Sequence, residues 1–306
     1  MFFLLRMKKL LFTGASGFLG RNVRPVLEKS YTITTLGRSR TNSIQADLAK
    51  EIPFLNEQYD VVLHAAGKAH VVSPAKTEEK EFFDVNYQGT VRLCKALERA
   101  GKPQAFIFIS TVAVYGRETG ENISEEHPLG GRTPYARSKI KAEEYLQEWA
   151  KEQGVVLGII RPALLAGADP PGNLRAMIRG ISSGRYLSIA HGKARKSMLM
   201  AEDVAYLLPK LAETGGTYNV CDDHHPSFGE LEFWIAMQLG KKRPASIPYF
   251  FAKGLAVCGD ILGDWFPVNS SKLKKITQTL TFSNIAAKNQ LGWRPLPVLE
   301  NFKINS

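Results

Sequence analysis

"LLFTGASGFLG", residues 10–20, sets three glycines at GxxGxxG spacing directly after an apolar run and before a helical period. Small residues at Gly14, Gly17 and Gly20 let the backbone approach a pyrophosphate. The helix that follows supplies free N–H groups and a partial positive charge. A bare glycine triplet also describes an ordinary tight turn. Its place between "KKLLF" and the period opening at Phe18 reads instead as a dinucleotide-binding loop, made by Gly14, Ser16, Gly17, Phe18, Leu19 and Gly20.

Working outward, "TTLGRSR" (34–40) ends a second apolar strand and delivers Arg38 where such a loop's partner strand meets the adenosine ribose. An acidic side chain there accepts hydrogen bonds from both hydroxyls of NAD, whereas an arginine suits the extra phosphate of NADP. NADP is therefore favoured over NAD. Asp47 in "QADL", followed by Leu48, is positioned to bond the adenine amino group.

The first half continues to alternate apolar strands with helical periods. Strand candidates lie at 10–13, 32–36, 61–64, 106–110 and 156–161, and a helix runs through Phe82, Val85, Val91, Leu93 and Leu97. That alternation specifies an α/β fold, a Rossmann doubly wound parallel sheet with the strand carboxyl ends along one crevice. After "AGADPPGN" the alternation breaks into mixed helices and short strands. We expect a dinucleotide-binding domain over 1–165, to which 196–222 returns, and a smaller mixed α/β substrate-binding lobe over 166–306.

Composition bounds the class. With 306 residues, 44% hydrophobic and 23% charged, the chain has ample material for a folded core. Cys94, Cys221 and Cys258 are far apart, which suggests neither a disulfide framework nor a metal site, and fits a cytoplasmic location. "MFFLLRMKKL" is too short in apolar residues for a signal core or a membrane span, and reads as an extended start before Met7. "IPYFFAKGLAVCGDILGDWF" (247–266) holds Lys253, Asp260 and Asp264, and reads as a core helix in preference to a membrane-surface contact. No integral membrane segment is expected. The net charge of +11 concentrates where Arg175, Arg179, Arg185, Lys193, Arg195 and Lys196 fall without an acidic residue between 172 and 201. No aromatic interleaving or nucleic-acid motif accompanies them, so a diphosphate-bearing small molecule explains the run better than nucleic acid.

The chemistry gathers in "RTPYARSKIKAEEYL", where Tyr135 and Lys139 stand four apart on one helix face. A tyrosine titrates near 10, so it serves as a base only beside a cation that stabilises its phenolate, and Lys139 supplies one. "AFIFIS" brings the hydroxyls of Ser110 and Thr111 to a strand end facing the same crevice. Ala65, Ala66 and Gly67 leave room for a cofactor one strand away. Lys68 and His70 follow that strand and border the place for a substrate, or are solvated loop residues. His224 and His225 read as a surface turn, and Cys94 as core.

Together "TGASGFLG", "ADL", "HAAG", "DVNYQGT", "FISTVAVYG", "YARSK", "IIRP", "AEDVA", "YNV" and "LGWRP" resemble, in order and over essentially the whole chain, the extended short-chain dehydrogenase/reductases. That family includes nucleotide-sugar epimerases, dehydratases and ketoreductases. The resemblance implies Tyr135 as acid/base, Lys139 as its pKa-lowering partner and ribose ligand, and Thr111 as the hydroxyl partner. It also implies Asn86 as a support for the active-site helix and Pro162 as the start of a segment meeting the nicotinamide. A UDP or dTDP sugar would lie by Val112, Asn173, Arg179 and either Arg195 or Lys196. The family's sugar dehydratases follow the threonine with an Asp-Glu pair, whereas Val112 and Ala113 stand here, so elimination is not expected. Two reactions remain. One is an NADPH-dependent 4-ketoreductase, which Arg38 favours; the other is a UDP-hexose 4-epimerase that retains NAD. A non-catalytic NADP sensor is the reading outside enzymes, and the resemblance implies a homodimer through helices near 82–99 and 135–151.

Overall fold

The computed structural model describes residues 6–69, 76–262 and 269–304. Along the chain the strands are β1 (Lys8–Thr13), β2 (Tyr31–Gly37), β3 (Ile44–Gln45), β4 (Val61–His64), β5 (Ala105–Ile109), β6 (Gly120–Ile123) and β7 (Val156–Pro162). They continue with β8 (Leu164–Ala166), β9 (Ser188–Ile189), β10 (Met198–Met200), β11 (Gly216–Val220), β12 (Ser246–Ile247) and β13 (Leu280–Phe282). Seven of them form one parallel sheet in the order β11-β7-β5-β4-β1-β2-β3. Its strands are unbroken apolar runs because both faces are covered: Leu10, Leu11, Phe12, Phe106, Ile107 and Phe108 are all fully buried. The order reverses direction between β1 and β4. Their carboxyl ends therefore open the crevice in which such sheets bind ligands.

The helices are α1 (Phe18–Leu27), α2 (Lys76–Phe83), α3 (Gly89–Ala100), α4 (Pro134–Gln153), α5 (Gly172–Ser182) and α6 (Asp203–Thr214). After them come α7 (Phe228–Gln238), α8 (Tyr249–Leu262), α9 (Ser270–Thr277), α10 (Ile285–Leu291) and α11 (Val298–Asn301). Val23 and Leu27 of α1, Leu207, Leu208 and Leu211 of α6, and Leu291 of α10 cover one face of the sheet. Leu93 and Leu97 of α3, with Leu146 and Trp149 of α4, cover the other. Beyond residue 166, α5, α7 and α11 pack around Met198 and Met200 of β10 as a second, smaller core.

Two buried carboxylates tie the closing segment to the sheet. Asp203 accepts from the Leu296 N–H at 3.2 Å, and Asp222 from that of Val298 at 2.7 Å. Burial pushes the Asp203 carboxyl up to about 7. The "AEDVA" motif thus meets the residue that directly follows "LGWRP".

Three features depart from the sequence reading. The helix expected through residues 82–97 is interrupted by a π turn, Asp84–Gln88, which aims Asn86 inward. The sheet gains β3, too short to show a period, and β11, whose polar Thr217 and Asn219 hide its character. The third departure is α8, which is not a core helix: only Ala252, Ala256 and Gly259 of residues 249–260 are buried. Its apolar contacts are with α9 and with Ile189 and Ile247 of the short strands β9 and β12, which cover one narrow side of it.

Candidate active site

The glycine loop is shaped by close approach. Gly14 has φ +77°, and a Cβ there would lie 2.6 Å from the backbone of Ala65 and Ala66. A Cβ on Gly20 would meet the Gly14 carbonyl at 2.4 Å, so the third glycine lets α1 start against the loop. The first turn of α1 has no acidic residue and no side-chain cap. Its N–H groups are left for an anion. These features fit the pyrophosphate of a dinucleotide. At the far end of β2, Arg38 is exposed and makes no ion pair among the described residues; only its carbonyl is engaged, by Gln45 at 3.2 Å. Asp47 is partly turned to its own turn, accepting from the Ala49 N–H at 3.1 Å, and Leu48 is buried beneath Gly89.

Helix α4 begins where its sequence says it should. Thr133 caps it by accepting from the Ala136 N–H at 3.2 Å, and Pro134 opens the first turn. That fixes Tyr135, Lys139 and Glu143 on one stripe, four residues apart. Burial raises the Tyr135 pKa, and the hydrogen-bonded Thr111 hydroxyl acts in the opposite direction. Lys139 is 4% exposed, donates to the Ile109 carbonyl at 2.8 Å, and lies 4.5 Å from the centre of the Phe108 ring. Burial lowers its pKa to about 8, with Glu143 pulling the other way. A Cβ on Gly67 would come within 3.2 Å of its ammonium. The small strand end is what gives the lysine its place.

Asn86 is fully buried, accepting from the Lys68 N–H at 2.7 Å and donating to the Lys68 carbonyl at 3.1 Å and to Ser138 at 2.9 Å. Ser138 donates in turn to the Tyr135 carbonyl at 2.8 Å. One amide therefore joins the end of β4 to the start of α4.

Two buried networks support these residues, and the sequence reading missed both. Ser110 was expected to face the crevice beside Thr111. Its hydroxyl turns instead into the protein and donates to Glu143. Glu143 pairs with Arg161 at 2.6 Å, both nearly unexposed, and Arg161 donates to the Tyr115 hydroxyl at 2.9 Å. Tyr115 donates to Asn219 at 2.7 Å. The signal was present: Glu143 continues the Tyr135–Lys139 spacing, and Arg161 and Asn219 lie in "IIRP" and "YNV".

The second network runs through His64. Thr90 donates to the Asn86 carbonyl at 2.7 Å, so its oxygen can only accept from His64 Nε2–H, 2.9 Å away. Nδ1 then accepts from Thr13 at 2.6 Å, and Thr13 accepts from the Ala66 N–H at 3.1 Å. Burial, reinforced by the Lys139 charge, lowers the His64 pKa to about 3, so this chain of donors keeps one direction.

The residues expected around a substrate are scattered. Lys68 pairs with Glu81 and lies 5.3 Å from the centre of the Phe82 ring. Val112 occupies a short turn capped by Thr111. Asn173 is exposed in the first turn of α5, and Pro162 ends β7. Arg179 lines an outer cleft with Arg21, Arg175 and Lys303. Arg195 donates to Glu230 at 3.2 Å and to the His225 carbonyl at 2.8 Å, which separates it from Lys196. Lys196 has no ion pair among the described residues, and burial lowers its pKa to about 8. His70 lies outside the described residues. His224 pairs with Glu230, and no cluster of His, Cys, Asp and Glu among the described residues could hold a metal ion.

With this geometry in hand, the family model described as NAD dependent epimerase/dehydratase matches residues 10–221. The chain belongs to that family. NAD(P) is accordingly its class of cofactor. A relative from Escherichia coli O157:H7, N-acetyl-alpha-D-glucosaminyl-diphospho-ditrans,octacis-undecaprenol 4-epimerase, is 30% identical over 89% of this chain and 86% of its own. The GDP-6-deoxy-D-mannose reductase of Pseudomonas aeruginosa is 30% identical over 73% of this chain and 78% of its own. Among solved structures, RMD from Pseudomonas aeruginosa complexed with NADPH superposes with a TM-score of 0.76 at 22% identity, covering 96% of each chain. That last likeness establishes the fold.

Proposed function

We propose that this family member carries out hydride transfer at C4 of a diphosphate-linked sugar, as an NADPH-dependent 4-ketoreductase. The observation that carries the reading is the junction of Tyr135, Lys139 and Thr111 at strand ends that also hold the glycine loop. The glycine loop would hold the dinucleotide, which when bound would supply the hydride. Tyr135, a phenol held protonated by burial, gives its proton to the sugar oxygen. The Lys139 cation stabilises the phenolate that remains, and the Thr111 hydroxyl steadies the same oxygen. Asn86 and the β4 carboxyl end hold the helix that carries both residues.

Arg38 supports NADPH, because its exposed guanidinium has no carboxylate partner among the described residues. Lys196 supports a diphosphate, since a half-buried cation without an ion-pair partner among the described residues gains most from an anion. A nucleotide sugar and the lipid-linked sugar named for the Escherichia coli relative share that group. The same relative's name favours a second reading, a 4-epimerase that keeps NAD and returns the hydride to the other face. Among the described residues, no helix is long and apolar enough to cross a membrane. A cytoplasmic homodimer completes the proposal, with sedimentation as its check. The deciding experiment offers free NADPH with UDP-4-keto sugars, and separately assays the purified protein for retained NAD. Consumption of NADPH supports the reductase. Retained NAD with no NADPH oxidation overturns it in favour of the epimerase.

A further inference from the structure

We propose that the outer face of α8 docks on the surface of an anionic lipid bilayer, a role that goes beyond the hydride-transfer reading. The helix is packed inside out. Toward the protein it turns Ala252 and Ala256, 1% and 0% exposed, against Ile189, Ile247, Leu273 and Ile276. Outward it turns Phe250, Phe251, Leu255 and Val257, 65%, 59%, 47% and 48% exposed. A helix placed only by folding sends its large apolar side chains inward and its small or polar ones outward. Phe250, Gly254 and Val257 form one row at helical spacing, and Phe251, Leu255 and Cys258 form the adjacent row. The face is therefore continuous, which isolated surface hydrophobics are not.

Charge selects the occupant. Lys253 lies within α8, and Lys241, Lys242 and Arg243 are exposed on the segment leading into it. Lys241, Lys242 and Lys253 have no carboxylate partner among the described residues. The one acidic side chain described on α8, Asp260, is committed to α9: it accepts from the Ser270 N–H at 3.0 Å and from the Ser270 hydroxyl. An apolar face with uncompensated lysines nearby matches the interfacial zone of an anionic membrane. With 14 residues, α8 lies on such a surface and does not span it. Position gives the contact a use. Ile189 and Ile247 hold α8 to β9 and β12, and β9 leads directly into the basic run that ends at Lys196. Docking would hold that lysine and the crevice beside the lipid surface.

The test is flotation of the full chain with vesicles of phosphatidylcholine, alone or mixed with phosphatidylglycerol, together with sedimentation velocity in the absence of lipid. The expected result is flotation with the anionic vesicles and about tenfold less with neutral ones. Flotation should be lost in Phe250→Ser/Phe251→Ser/Leu255→Ser, with melting temperature and turnover of a water-soluble UDP sugar unchanged. Lys241→Glu/Lys242→Glu/Lys253→Glu keeps the apolar face and should lose the preference for anionic lipid. No flotation of the wild type, equal flotation of the serine variant, or a dimer that the serine variant splits would each overturn the proposal. Because turnover is read separately on a soluble substrate, failure of flotation and failure of the hydride-transfer reading are distinguishable.

Discussion

The ammonium of Lys139 donates to the carbonyl of Ile109 across 2.8 Å, at the carboxyl end of β5 and one helical turn after Tyr135. Burial makes that charge costly, lowering its pKa from 10.5 to about 8. The unfolded lysine keeps its proton up to the higher value. The folded state therefore bears the full penalty, about 3 kcal/mol, below pH 8 and sheds it as pH rises from 8 to 10.5. Lys139→Met removes the charge at the loss of one hydrogen bond, worth about 1 kcal/mol. The variant should be more stable than wild type at pH 7, and the gap should close toward pH 10.5, while turnover falls. Urea titrations across that range measure it. A less stable variant at pH 7 would contradict the account.

Glu143 and Arg161 need each other. Glu143→Gln strands a buried guanidinium and should cost about 3–5 kcal/mol, read as a lower urea midpoint. Glu143→Met/Arg161→Met removes both charges and should recover most of the loss. Recovery stays incomplete because Ser110 loses its acceptor and Tyr115 loses one donor, keeping only its bond to Asn219. A double variant as unstable as the single would mean that the network's hydrogen bonds outweigh its charges.

Tyr135→Phe keeps the ring and its contact with Phe82, at 6.1 Å between centroids, and deletes the proton. Turnover should fall about 10²–10⁴-fold, while cofactor binding, followed by nicotinamide fluorescence, stays near wild type. Unchanged turnover would remove Tyr135 from the chemistry.

How much of this was legible in the sequence depended on whether an element's role was local. The glycine loop and the five strand candidates each follow from neighbours a few residues away, and those strands appear within a residue or two of their expected bounds. The π turn was not legible, because its five residues, Asp84–Gln88, are mostly polar and carry no apolar period on which the inserted residue could show as a phase shift. The Ser110–Glu143–Arg161–Tyr115–Asn219 network joins residues 110 to 219. Helical spacing puts Glu143 on the stripe of Tyr135 and Lys139, but it does not pair Glu143 with Ser110, just after β5, or with Arg161 on β7. α8 failed differently. Its composition resembles a core helix, and only its thin covering layer reveals that the large side chains face out.

Arg195 and Lys196 were equivalent in the sequence and are not equivalent in the fold. Arg195 has Glu230 as a partner at 3.2 Å, whereas Lys196 has burial and no counter-charge among the described residues. Lys196→Ala should raise KM for a diphosphate sugar about tenfold or more, the worth of a charge-assisted hydrogen bond, with a smaller effect on kcat. Arg195→Ala should leave KM within about twofold. The reverse ranking would move the diphosphate to the outer side of the basic run.

Arg38 is the residue whose substitution separates the two proposed reactions. It closes β2 on a tight turn, where Asn42 donates to the Ser39 carbonyl at 2.9 Å and Gln45 holds the Arg38 carbonyl at 3.2 Å. The backbone is thus fixed while the guanidinium remains exposed, which suits a phosphate on the adenosine ribose. Arg38→Asp exchanges a cation for an acceptor of ribose hydroxyls, and should lower NADPH affinity about tenfold or more while improving that for NADH. Competitive titration of the two dinucleotides measures the ratio. A cofactor that leaves after each turnover gains from a pocket tuned to the reduced, phosphorylated form that cells supply for biosynthesis. One that is retained and regenerated does not. If the ratio fails to move, Arg38 contributes nothing to phosphate recognition, and the retained-NAD epimerase becomes the better account of this site.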